Sequence, residues 1–362
     1  MKVFLIIIIS LLGWGQALNS DDLLTYTDSK GKLKPVNTKD QWQLKRHQIL
    51  DSMQAIMGPL PSRMNLPDLK VTVKDSLTTD KYIRYLIVFA PAVNEDVTCY
   101  LYVPTGVDKT KKLPAMLVLH GTGALGKRLV DGESTNRNRA QAKELAERGY
   151  VVIAPDYPSM GEQKDYDFQK DRYTSGTMKA IFNHMRCVDL LETMDIVDPN
   201  RIGALGHSLG GHNSMFVGAF DERLKVIVSS CGWTPMSYYN VKEGENIDRL
   251  KPWAQERYMP LLGKKYSFNG EDFPFDFDEV IATLAPRAFF SNSPIHDSNF
   301  DYKGVKVGIS SASKVFDFLN VPNNLQVRYP NAQHDFPTDV RKEAYAFIDK
   351  VLLHAPRESV IE

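Results

Sequence analysis

The sequence predicts an α/β fold: a mostly parallel central sheet flanked by helices, with an N-terminal helical and antiparallel extension and an insertion late in the sheet. Two observations carry this. From Leu113 onward, short apolar runs alternate with helix-length segments, the pattern of parallel strands joined by right-handed crossovers. Second, Gly206-His207-Ser208-Leu209-Gly210-Gly211 stands between an apolar run, residues 201–205, and a helical segment, residues 213–220. That is the strand–turn–helix setting of a nucleophile elbow, in which flanking glycines are needed because side chains there would collide with neighbouring backbone.

The elements follow in order. Residues 21–38 are polar and rich in turn formers, which predicts a loose lead-in. Trp42, Ile49, Met53, Ile56 and Met57 recur near helical spacing and predict a packing helix over residues 40–57, stopped by Gly58-Pro59. Residues 69–73, 82–89 and 96–103 alternate apolar with polar side chains and predict antiparallel strands. Strands follow at 115–119, 150–154, 201–205, 224–230, 287–291 and 325–329, and helices at 137–148, 177–197, 276–284, 305–319 and 340–353. Residues 233–275 interrupt the rhythm with Trp233, Tyr238, Tyr239, Trp253, Tyr258 and Tyr266, as expected of a cap-like insertion over the strand ends.

Composition narrows the partners. Lysine plus arginine and aspartate plus glutamate number 44 each in 362 residues, so no charge excess recommends nucleic acid. Met1-Lys2, the apolar run of residues 3–12 and the small residues Gly15 and Ala17 predict a signal peptide over residues 1–17, and hence a periplasmic or secreted protein. The apolar run falls short of the roughly 20 residues of a spanning helix, so no stable membrane insertion is expected after cleavage. An N-terminal extension is expected over 18–68 and the main domain over 69–362. Cys99, Cys187 and Cys231 sit in apolar patterns and read as buried free thiols, with one disulfide among them as the alternative.

A serine hydroxyl needs a base, and the base needs an orienting acid. Ser208 is the candidate nucleophile. His334, in the loop after the 325–329 strand, is the candidate base, while His354 reads as a solvated histidine at the end of the last helix. Asp297, in the loop after the 287–291 strand, is the first choice of acid, and Asp301 is its rival; for either, the alternative duty is a turn or helix cap. Asp335 adjoins His334 too closely to turn back onto its ring. The backbone N–H groups of Leu209 and Thr122 are the expected oxyanion donors, the latter in the loop His120-Gly121-Thr122-Gly123. His207 and His212 read as packing groups. No zinc-site spacing appears, although His296-Asp297 with His334-Asp335 is a weak metal alternative; residues 121–126 lack the spacing of a phosphate loop. No cofactor is expected.

From Leu113 to Leu353 the chain resembles the α/β-hydrolase superfamily, in the branch of dienelactone-hydrolase-like and acetyl xylan esterase-like proteins with a serine nucleophile. The residues carrying this are the His120-Gly121 loop, the 206–211 elbow, Ala285-Pro286-Arg287, the Asp297 loop and His334-Asp335-Phe336. The resemblance implies a serine esterase acting by a Ser–His–Asp acyl-enzyme mechanism on an ester-bearing small molecule or carbohydrate. Acetyl removal from a polysaccharide or oligosaccharide is the leading expectation. Glucuronoyl esterases have an arginine shortly after the serine, whereas Leu209 and Gly210 follow here, which argues against a uronate ester. Trp233, Tyr238 and Tyr157 are the expected substrate contacts, because flat aromatic faces suit sugar rings; a packed lid is the competing reading. Other readings are a prolyl oligopeptidase-like peptidase and an inactive binding protein on the same scaffold.

Overall fold

The computed structural model describes residues 22–108, 110–240, 249–268, 273–359 and 361. The expected signal peptide and parts of the 233–275 insertion lie outside the described residues. The lead-in carries a small antiparallel pair, β1 (Thr25–Thr27) and β2 (Leu33–Pro35), closed by Asp28, whose carboxylate accepts the Lys30 and Lys32 N–H groups. Helix α1 (Lys39–Met57) begins with a capping box between Thr38 and Gln41 and buries Trp42, Ile49, Met53, Ile56 and Met57, the residues whose spacing predicted it.

The main sheet has nine strands in the order β11-β10-β9-β8-β6-β7-β5-β4-β3. They are β3 (Thr72–Thr78), β4 (Tyr82–Phe89), β5 (Val97–Pro104), β6 (Leu113–Leu119), β7 (Val151–Pro155), β8 (Val197–His207), β9 (Leu224–Ser230), β10 (Ala288–Asn292) and β11 (Leu325–Arg328). Strands β6 to β11 run parallel, and β5, β4 and β3 continue the sheet antiparallel beyond β7. The first strand starts three residues later than its alternation suggested. As an edge strand β3 is exposed along its whole length, and a strand without a buried face leaves a weak period-2 signal.

The helices are α2 (Gln141–Glu147), α3 (Gly176–Glu192), α4 (Leu209–Phe220), α5 (Leu261–Tyr266), α6 (Phe277–Leu284), α7 (Tyr302–Phe318) and α8 (Thr338–Val351). Alternate strand residues feed two cores. Leu117, Ile153, Ile227 and Phe289 face α1, α3, α4, α6 and α7; Met116, Val152, Val226 and Phe290 face α2 and α8. Both faces of the central parallel strands are thereby covered, which is why β6 and β7 read as continuous apolar runs. Because six strands point the same way, their C-terminal ends lie along one edge, and residues 120, 156, 208, 231, 292 and the 329–336 loop all emerge there. Among the described residues no helix is long and apolar enough to cross a membrane.

Candidate active site

The elbow is set by backbone crowding. A Cβ at Gly206 would stand 2.1 Å from Gly210 O, and one at Gly210 would stand 1.9 Å from Leu119 O. With no side chains in the way, α4 starts directly against the end of β6, and Ser208 is held between strand and helix at φ 57°, ψ −120°. Its N–H donates to Ser230 O at 2.8 Å, tying the turn to β9.

The structure brings Ser208, His334 and Asp297 together. Ser208 Oγ lies 2.9 Å from His334 Nε2, and His334 Nδ1 lies 2.8 Å from Asp297 Oδ2. Asp297 is buried, and its other oxygen accepts the Asn299 and Phe300 N–H groups at 2.9 and 3.2 Å. A carboxylate accepting on both oxygens leaves Nδ1 as the imidazole donor and Nε2 as the acceptor for the serine hydroxyl. The Phe300 ring lies nearly parallel to the imidazole, with centroids 6.0 Å apart. Asp301 is elsewhere engaged: it is the N-cap of α7, accepting the Lys303 N–H at 2.8 Å.

The neighbouring polar residues hold this arrangement. The Asp335 carboxylate turns away from the His334 ring to Arg139 (2.6 Å), Asn138 (2.5 Å) and Asn136 (3.2 Å), while Arg139 also donates to His334 O at 3.1 Å. Burial alone would raise the Asp335 carboxyl; the Arg139 and Asn138 hydrogen bonds hold it below the usual range. The Asp335 carbonyl accepts from Asn292 Nδ2 at 2.8 Å and from the Cys231 thiol at 3.2 Å. The histidine loop is thus fastened to the 136–139 segment and to the ends of β9 and β10.

Cys231, Asp297 and His334 offer ligand atoms within 4.8 Å of one another. A direct hydrogen bond occupies the facing Asp297 and His334 atoms, and burial, reinforced by Asp297, pushes the Cys231 thiol well up, so these groups form a hydrogen-bonded cluster. The metal alternative gathers no support from His296, which bonds Asn331 Oδ1 at 2.8 Å, or from Asp335, paired with Arg139. All three cysteines are buried and free.

The loop bearing Gly121 and Thr122 lies against the nucleophile: a Cβ at Gly121 would be 3.5 Å from Ser208 Cβ. His120 staples that loop down. Its Nε2 accepts the Tyr157 N–H at 2.9 Å, so the proton resides on Nδ1, which donates to Gly121 O at 2.7 Å. Leu209 is the first residue of α4, where helix amides have no intrahelical acceptor.

The three aromatic residues expected to meet a ligand lie differently from that expectation. Trp233 is 1% exposed, with its indole N–H donating to Ser291 Oγ and its ring against Gly308, so it is a core side chain with no face to offer. Tyr157 is also buried and donates its hydroxyl to Arg257 O. Tyr238 packs on Gly304 and lines a separate cavity with Lys45, Arg249, Phe273, Asp276 and Glu279. The aromatic groups the insertion brings toward the site are Tyr239, Trp253 and Tyr258: Tyr239 bridges Phe300 and Trp253, and the Tyr258 hydroxyl shares a hydrogen bond with Thr122 Oγ1 at 3.0 Å. Sequence spacing gave no means of choosing among these aromatics. His354, read as solvated, is half-buried beyond α8; it bonds Arg148 O at 2.9 Å and packs on Tyr150.

Burial behind the elbow makes the fold acid-sensitive. It pushes His184 and His212 each down to about 3, and also lowers His120 and, well below the ordinary value, His207. Each folded pKa lies below the unfolded value near 6.5, so between the two the unfolded chain binds more protons; stability present above pH 6.5 is lost as pH falls toward 3. At pH 5 a single such histidine costs about 2 kcal/mol, at ~1.4 kcal/mol per pH unit. Replacing His184 by methionine is expected to shrink the loss of unfolding free energy between pH 7 and pH 5 by about that amount, read from urea titrations at both pH values. An unchanged loss would show that His184 is not neutral in the folded chain.

The family profile described as glucuronyl esterase, fungi, matches residues 134–320, just over half of the chain. YtaP of Bacillus subtilis is 25% identical over 249 residues, covering 66% of this chain and 79% of YtaP. A 4-O-methyl-glucuronoyl methylesterase of Phanerochaete carnosa is 25% identical over 230 residues, covering 57% of this chain and 56% of its own, so the chain spans little more than half of that relative. Among solved structures, a glucuronoyl esterase from Solibacter usitatus superposes with a TM-score of 0.69 at 20% identity, over 93% of this chain and 98% of that one. A likeness of that kind establishes the α/β-hydrolase fold.

Proposed function

The chain belongs to the glucuronyl esterase family, and on that premise we propose that it is an exported serine esterase acting on carbohydrate esters. The observation that carries the proposal is the Ser208–His334–Asp297 hydrogen-bond chain at the edge where the parallel strands end. His334 Nε2 removes the Ser208 proton as Oγ attacks the ester carbonyl, and Asp297 holds the imidazole in the required tautomer and stabilises its cation. The Leu209 and Thr122 amides receive the oxyanion. Collapse of the tetrahedral intermediate expels the alcohol, protonated by His334. Water, deprotonated by His334, then releases the acid from the acyl-enzyme.

The preferred substrate is an acetylated polysaccharide or oligosaccharide, the sugar on the alcohol side. Leu209 and Gly210 support this choice, since they follow the serine where the resemblance to glucuronoyl esterases would call for an arginine shortly after it, and the Arg139 guanidinium beside the histidine loop is committed to Asp335. Export rests on the signal-like residues 1–17. A second reading, a glucuronate ester with the sugar on the acyl side, is favoured by the family match over residues 134–320.

Acetate release from acetylated xylan and methanol release from a methyl glucuronate, measured side by side, separate the two. Acetate release at least tenfold faster is expected; the reverse order would transfer the assignment to the uronate ester. Turnover of neither, with no labelling of Ser208 by a fluorophosphonate, would defeat the esterase proposal itself.

A further inference from the structure

The insertion places one hydroxyl beside the loop that carries Thr122. Tyr258 is set there by its backbone, not by its ring alone. Its N–H donates to Gln255 O at 2.8 Å, and its carbonyl accepts the Thr177 N–H at 3.2 Å. The flanking residues are strapped down too: Glu256 O accepts the Gly176 N–H at 2.9 Å, and Arg257 O accepts the Tyr157 hydroxyl. Contact with α3 is so close that a Cβ at Gly176 would stand 2.3 Å from Arg257 O. The Tyr258 ring packs on the cluster of Tyr157, Met160, Ala180 and Leu209, over the start of the elbow helix. Its hydroxyl then meets Thr122 Oγ1 at 3.0 Å.

Thr122 itself is exposed and sits one residue from Gly121, which lies against Ser208. An exposed loop residue between two glycines has little to hold it laterally. The Tyr258 bond provides a fixed point in addition to His120, which already grips the Gly121 carbonyl.

We infer that Tyr258 is a positioning residue for ester cleavage: through its hydrogen bond to the Thr122 hydroxyl it fixes the backbone amide of Thr122 where the oxyanion forms. This rests on the esterase reading above. It gives the insertion a defined duty at the loop that carries Thr122. Oxyanion donors act only when preorganised, and a misplacement of about 1 Å is worth up to ~100-fold in rate.

The test is steady-state kinetics on p-nitrophenyl acetate with Tyr258→Phe, Thr122→Val and the double variant, each removing hydroxyl groups while keeping side-chain volume. Either single change is expected to lower kcat about 10- to 100-fold with KM within about twofold, the double change to cost no more than the worse single one, and Thr122→Ser to retain wild-type kcat. Wild-type kcat in Tyr258→Phe, a loss in only one of the two singles, or additive losses in the double would each overturn the inference. If the wild-type chain labels at Ser208 with a fluorophosphonate and hydrolyses the ester, those results bear on Tyr258 alone. If it does neither, the esterase reading falls and this inference with it.

Discussion

Ser208→Ala is expected to lower ester turnover by about 10⁴- to 10⁶-fold while leaving the melting temperature within a few degrees. The asymmetry follows from position. Ser208 Oγ bonds His334 Nε2 at 2.9 Å and supports little of the core, whereas the reaction needs it as the attacking atom. His334→Ala should match that loss, because the two act as one unit. Asp297→Asn should cost about 10⁴-fold, since an amide facing Nδ1 favours the wrong tautomer. Asp301→Ala is the control: loss of the α7 cap should cost about 1 kcal/mol of stability and change kcat less than threefold. Equal activities of wild type and Ser208→Ala would remove the nucleophile from the mechanism, and a larger loss from Asp301 than from Asp297 would reassign the acid.

Gly210→Ala is expected to cost at least about 3 kcal/mol of stability and more than 100-fold in kcat/KM. The added carbon would stand 1.9 Å from Leu119 O, 2.5 Å from Leu119 C and 3.0 Å from His120 O. All three are backbone atoms at the end of the central strand β6, so no side chain can swing aside. The start of α4 would have to lift from the sheet, carrying Ser208 out of reach of His334 and opening contacts around His120. Urea titration and kcat/KM on one preparation check both losses. A variant as stable and as active as wild type would mean that helix-to-strand backbone contact does not hold the elbow.

The elbow and the parallel strands were legible because their signals are local. Crowding at Gly206 and Gly210 shows directly in residue type, and strands buried on both faces, such as β6 and β7, appear as unbroken apolar runs. The lead-in was less legible. Its hairpin depends on Asp28 folding back onto the Lys30 and Lys32 amides, in a stretch whose composition reads as a loop. Strand β3, exposed throughout, had no buried face to mark its start. His354 was misjudged for a related reason: its partners, Arg148 and Tyr150, are some 200 positions away, and nothing adjacent in sequence points to them.

What the sequence by itself determined is the order of the parts: a glycine-bounded serine between strand and helix, then an acid-bearing loop, then a histidine loop, each after an apolar strand. Periodicity and steric necessity act over a few residues and can be read from a single chain. Which aspartate faces the histidine, and which aromatic reaches the site, was decided by tertiary structure alone. Asp297 and Asp301 share one loop and one chemistry, yet only the folded loop turns the first toward His334 and leaves the second to cap α7. Likewise Trp233 sank into the core while Tyr258, strapped by its backbone to α3, came to rest on Thr122, because side-chain direction in a long insertion is set by distant packing.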